Sequence, residues 1–349
     1  MKLISRLLGS AIFVCAAVSA NANVAPSPFS SLVVFGDSLS DSGNNTLHPL
    51  IGTNPGQVIS GNAYIPSLTY GPVGTYSNGP VWATQFAGLL GLALTPSLAG
   101  GTNYAFGGAL SGADQILHPS FPQFPLPGLK TQANSFLATH PGSLPADALY
   151  VVAGGGNDAR ATFSALATQT DFGVIGSVAG AAAAQYANNI GSIVDQLQAA
   201  GAQHIIVWDT PNIGLAPAIK AEVPFTAAGL TGPQLGSLVS GTLNAALTTR
   251  LAGEAGVKIF DIYGLVSLAG ANGFTNTTDA CGAPTNSGVC PADIAHALFW
   301  DGIHPTTAAH GFIAQQMFAL AVAVPEPSEV AMLLIGFLFV VRVARRKVA

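Results

Sequence analysis

The chain has 349 residues, of which 49% are hydrophobic and only 8% charged, with a formal net charge of −5. So much apolar content excludes a disordered polyelectrolyte, and a chain of this length can bury one large core. Six of the eleven Lys and Arg lie at the two ends, leaving an acidic body without the basic footprint that nucleic-acid binding requires.

In chain order, Lys2 and Arg6 precede the apolar stretch Leu7 to Val18, and Ala20-Asn21-Ala22 has the form of an A-x-A cleavage site. Residues 1–22 therefore read as a secretory signal peptide, and the protein is expected to be exported. Cys15 follows Phe13-Val14 rather than a small residue, which argues against lipidation. Residues 26–323 read as a single domain.

A buried strand is predicted at 31–36, running straight into G-D-S-L-S-D-S-G-N at 36–44. In open α/β sheets the ligand crevice lies beyond the carboxyl ends of the strands, so Ser38 sits where a nucleophile belongs. Two insertions rich in Pro, Gly and aromatics follow, at 46–80 and 110–146, and the prolines of 118–127 predict an extended polyproline run. The second insertion reads equally as the wall of an acyl groove and as a cover for the sheet edge.

Between the insertions, a strand at 102–106 leads into N-Y-A-F-G-G-A, where Gly107 or Gly108 lets the backbone approach a substrate with its N–H free. A third strand at 148–153 ends in G-G-G-N-D, and the Asn157 amide is a donor. G-G-G-N-D-A also fits a dinucleotide fingerprint, but it follows the third strand, and no acidic residue stands at the end of a next strand about 20 residues on, where a ribose would need it. A helix at 178–200 has Tyr186, Ile190, Ile193, Val194 and Leu197 at helical spacing, with Gly201 ending it. Strands at 203–209 and 257–262 complete an alternating pattern, which implies a parallel sheet with right-handed crossovers.

Cys281 and Cys290 are the only cysteines outside the signal segment, an even count in an oxidising compartment, and are expected to form a disulfide. Just downstream lies D-G-I-H-P at 301–305, where Asp301 can reach back across a tight turn to fix the tautomer of His304. His310, in a predicted helix at 306–320, is the competing imidazole and reads as a packing or surface residue. There is no G-x-S-x-G, no H-E-x-x-H and no paired-cysteine knuckle, so neither an α/β-hydrolase elbow nor a metal site is expected.

Taken together these residues supply a nucleophile, a base, an orienting acid and oxyanion donors, in an order and with motifs that resemble the GDSL or SGNH hydrolase family over residues 36–305. The resemblance implies a three-layer flavodoxin-like α/β fold with a central parallel sheet and helices on both faces. It matches Ser38, Asp301 and His304 to the triad, and the Ser38 N–H, Gly108 and Asn157 to the oxyanion hole. The implied activity is ester hydrolysis without a cofactor, on a lipid acyl ester or an acetylated glycan, the alternative being a non-catalytic surface or matrix protein on the same fold.

At the far end, Val324-Pro325-Glu326-Pro327-Ser328 precedes the apolar run Val330 to Val341 and then Arg342, Arg345, Arg346 and Lys347. Residues 324–349 resemble a PEP-CTERM sorting signal, which implies an exosortase-type processing partner and a Gram-negative cell surface. The apolar run is shorter than the roughly 20 residues of a stable span, and the basic tail would stay cytoplasmic, so transient membrane association is expected.

Overall fold

The computed structural model describes residues 27–49, 74–116, 122–222, 228–282 and 293–323. The expected signal peptide, sorting signal and Cys290 lie outside them, as do most of 46–80 and part of 118–127. The described elements are β1 (Leu32–Gly36), α1 (Asn44–Leu47), α2 (Trp82–Leu90), α3 (Leu129–Thr139), β2 (Leu149–Ala153), α4 (Gly156–Leu166) and α5 (Phe172–Ala199). They continue with β3 (His204–Trp208), α6 (Pro217–Glu222), α7 (Gly232–Arg250), β4 (Val257–Phe260), α8 (Ile262–Ser267), β5 (Asn276–Ala280), β6 (Ala297–Phe299) and α9 (Thr307–Val322).

Strands β1, β2, β3 and β4 form one parallel sheet in that order, with Phe35 opposite Val152 and Val152 opposite Val207. Strands covered on both faces should be apolar at every position. β1 and β2 are buried throughout. Alternate side chains point to opposite layers. Val33, Phe35, Tyr150, Val152, Ile205 and Val207 pack with α3, α4, α5 and α7. Leu32, Val34, Leu149, Val151, Ile206 and Trp208 face the other way, onto α2 and α9. This is the three-layer α/β architecture.

The strand predicted at 102–106 is reduced to a bridge between Asn103 and Val34, flanked by the hydrogen bonds Tyr104 N to Val34 O and Phe106 N to Gly36 O. With that segment counted as a second strand the order is 2-1-3-4-5, so the strand order reverses on either side of β1. A doubly wound sheet opens its ligand crevice at such a reversal.

The long helix begins at Phe172, six residues before its predicted start. Asp171 caps it by accepting from the N–H groups of Gly173 and Val174. Of the expected polyproline run at 118–127, the described residues 122–127 form a turn at 122–123 and an antiparallel bridge from Leu126 to Gln115. The rest of that insertion contains α3, whose Leu129, Ala133 and Phe136 enter the core, so it covers the sheet face. Among the described residues no helix is long and apolar enough to cross a membrane.

Candidate active site

The site is built on the turns that follow β1, β2 and the 102–106 segment, closed by the loop before α9. After β1, Asp37 accepts from the N–H of Leu39, and Ser40 and Asp41 donate their N–H groups to the Asp37 carbonyl. This tight turn lifts Ser38 to the carboxyl edge of the sheet, where it is 8% exposed. Among the described residues the Ser38 N–H donates to no partner.

In the closing loop both oxygens of Asp301 are used. Oδ1 accepts from the N–H groups of Ile303, at 2.8 Å, and His304, at 2.7 Å, while Oδ2 lies 2.6 Å from His304 Nδ1. The carboxylate therefore fixes the loop and the imidazole at once. Burial opposes its charge, but the imidazole and the two N–H donors hold it below the usual carboxylate range. The opposite ring atom, His304 Nε2, stands 2.9 Å from Ser38 Oγ. The tautomer with its proton on Nδ1 donates to Asp301 and leaves Nε2 to accept the serine proton. Tyr76 lies over the imidazole, with ring centroids 5.1 Å apart.

After β2 the chain turns through Gly155, whose φ of +120° is left to glycine. A Cβ there would stand 2.6 Å from Thr210 Oγ1 and 2.7 Å from the Tyr186 hydroxyl. The turn delivers Asn157 to the first turn of α4, where its amide donates to the Ala109 carbonyl at 3.0 Å and lines the same cavity as Ser38 and His304. Only one of its two N–H bonds is used in that contact.

The two glycines that follow the 102–106 segment, Gly107 and Gly108, are distinguished by Asp41, which is fully buried. It accepts from the N–H groups of Gly43, Asn44 and Asn45 and, at 3.0 Å, from Gly107. The Gly107 N–H is thereby occupied. Gly108, at φ +92°, has no partner for its N–H among the described residues, although it does not line the cavity. Its carbonyl accepts from Gln115. Sequence reasoning missed Asp41, because D-S-G-N reads as an ordinary Asx turn and nothing in it signals the Gly107 N–H 66 positions away. It also missed Gln132, whose amide bonds both the N–H and the carbonyl of Gly36, each at 2.9 Å.

The cavity has a volume of about 70 Å³ and opens to solvent. Ile213, Ala216, Ile262, Val266, Phe299 and Ile303 make most of it apolar, with Arg160 and Asn212 as further polar groups. None of the described residues of 110–146 lines it. His310 is fully buried on α9, both ring nitrogens unpartnered among the described residues, and burial with the nearby His304 charge pushes it down to about 3. It is a packing residue away from Ser38. Cys281 is buried, while its expected partner Cys290 lies outside the described residues. Among the described residues no group of three or more His, Cys, Asp or Glu could hold a metal ion.

A model of the family described as GDSL-like lipase/acylhydrolase matches residues 32–317, which include all five site residues. Esterase EstA of Pseudomonas aeruginosa is 29% identical over 353 aligned positions, covering 87% of this chain and 49% of that protein. A Pseudomonas putida protein, named as uncharacterized in the trpE-trpG intergenic region, is 28% identical over 333 positions, covering 85% of this chain and 49% of its own length. Lipase 1 of Photorhabdus luminescens is 32% identical over 211 positions, or 60% of this chain and 26% of that protein. The chain thus spans about half, or less, of the length of the curated relatives it matches.

Proposed function

The chain belongs to the GDSL-like lipase/acylhydrolase family, and from that premise we propose that it is an exported serine ester hydrolase working through an acyl-enzyme on Ser38. The observation that carries the reading is the unbroken contact from Ser38 Oγ through His304 to Asp301, at 2.9 and 2.6 Å. His304 Nε2 takes the hydroxyl proton as Oγ bonds to the ester carbonyl carbon, and Asp301 stabilises the imidazolium that results. The negative oxygen is met by the Ser38 and Gly108 N–H groups and the Asn157 amide. Collapse expels the alcohol, which leaves with the proton from His304. Water then gives a proton to the same nitrogen, attacks the acyl carbon, and releases the acid with Ser38 restored.

The apolar lining favours an aliphatic acyl chain over an acetylated glycan, since a sugar would leave its hydroxyls facing Ile and Phe side chains. A panel of p-nitrophenyl esters from acetate to palmitate, run beside an acetylated polysaccharide, tests this. kcat/KM should rise from acetate to intermediate chain lengths and be low on the glycan. Preference for the glycan would reverse the substrate assignment. Export and C-terminal processing rest on residues 1–22 and 324–349, and cell fractionation with intact-mass measurement of the mature chain checks both.

A further inference from the structure

Two of the oxyanion donors come from separate segments, Gly108 on the loop after the 102–106 segment and Asn157 on α4. Donors in such a hole must stand about 2.7–3.1 Å from the developing charge, and a displacement of about 1 Å can cost roughly a hundredfold in rate. Something must therefore fix the loop against α4. One link is made by Asn157 itself, through the Ala109 carbonyl.

The second link lies outside the cavity lining. Asp158, next to Asn157, accepts from Ser111 twice, from its N–H at 3.0 Å and from its hydroxyl at 2.6 Å. Ser111 is fully buried, three residues beyond Gly108. Its hydroxyl is held from the other side by Asn189 of α5, whose amide donates to it at 3.1 Å. Gly112 leaves room for that amide, for a Cβ there would stand 2.5 Å from Asn189 Nδ2. Burial raises the pKa of this carboxyl, and the two Ser111 bonds and its place in the first turn of α4 work against that.

We infer that Asp158, with Ser111 and Asn189, is a positioning clamp that sets the distance between the Gly108 N–H and the Asn157 amide, so that both meet one oxyanion. Asp158 does not touch substrate, and its effect passes through its neighbours. The inference rests on the reading of Gly108 and Asn157 as oxyanion donors. It differs from a merely structural role in what it predicts, because a loosened hole weakens the transition state while leaving substrate binding nearly unchanged.

The test compares Asp158→Ala, Asp158→Asn, Ser111→Ala and Asn157→Ala in the full protein, measuring kcat, KM and affinity for phenylboronic acid, whose serine adduct is tetrahedral and anionic. Asp158→Ala should lower kcat by about tenfold or more, with KM within twofold, and weaken the boronic acid by a similar factor. Asp158→Asn keeps one accepting oxygen for the Ser111 N–H and should recover most of the loss. Ser111→Ala should fall between, and it carries the test if Asp158→Ala does not fold. Wild-type kcat and boronic acid affinity in folded Asp158→Ala or Ser111→Ala, beside a severe loss in Asn157→Ala, would overturn the clamp alone. Normal turnover in Asn157→Ala would instead overturn the oxyanion reading beneath it.

Discussion

At the scale of single residues, the two imidazoles of the D-G-I-H-P segment and α9 make opposite predictions. His304 bonds both Ser38 and Asp301, so His304→Ala should lower the kcat of the folded protein by several orders of magnitude. His310 makes no hydrogen bond through its ring among the described residues, so His310→Gln should leave kcat per folded molecule near normal. Steady-state kinetics beside thermal unfolding separate the two, and an exchange of the two phenotypes would show the base to be misassigned. Asn157→Ala should cost about 10² to 10³ in kcat with KM little changed. Reduced stability with normal turnover would make it a turn residue only.

At the scale of elements, the turns matter more than the strands they join. Gly155→Ala would force a side chain into a left-handed conformation and against Thr210 and Tyr186, at a cost of about 1–3 kcal/mol. Because the same turn aims Asn157, activity should fall beyond what the unfolded fraction explains. Asp171→Ala removes the cap of α5 and should cost about 1 kcal/mol with no effect on kcat, measured by urea unfolding and ester hydrolysis. The four sheet strands were legible because their apolar runs end at Gly or Asp, and each falls within two residues of its predicted bounds. The beginning of α5 was not, since Gly173 and Gly176 dilute the pattern where only the Asp171 cap declares a helix. The residues that meet at the site could be read from the motifs, whereas Asp41, Gln132 and the link from Asp158 to Ser111 could not. Those acceptors serve backbone and side-chain groups as far as 96 residues away, a pairing that leaves no periodic trace.

At the scale of the whole molecule, buried titratable groups set how stability depends on pH, and they pull in opposite directions. His310 is depressed from 6.5 to about 3, so between those values the unfolded chain binds the extra proton and stability falls as pH falls. Burial raises Asp37 and Asp41 from 3.8 to about 6, so between those values the folded chain holds the extra protons and stability increases as pH falls. The acids are common to wild type and His310→Gln, so the difference between the two isolates the histidine. Between pH 7 and pH 5 the wild type should lose roughly 2 kcal/mol more than the variant, measured by urea unfolding. Equal losses would show that the imidazole meets a proton as easily inside the fold as outside.

The central claim is that one serine out of the whole chain is made nucleophilic by the meeting of two segments 266 positions apart. The most direct measurement is reaction with an alkyl fluorophosphonate followed by peptide mass mapping, in the wild type and in His304→Ala. A single adduct on Ser38 that forms rapidly in the wild type and is suppressed in His304→Ala is the predicted result. Labelling of any other serine, or an adduct on Ser38 that forms equally fast without the imidazole, would contradict it.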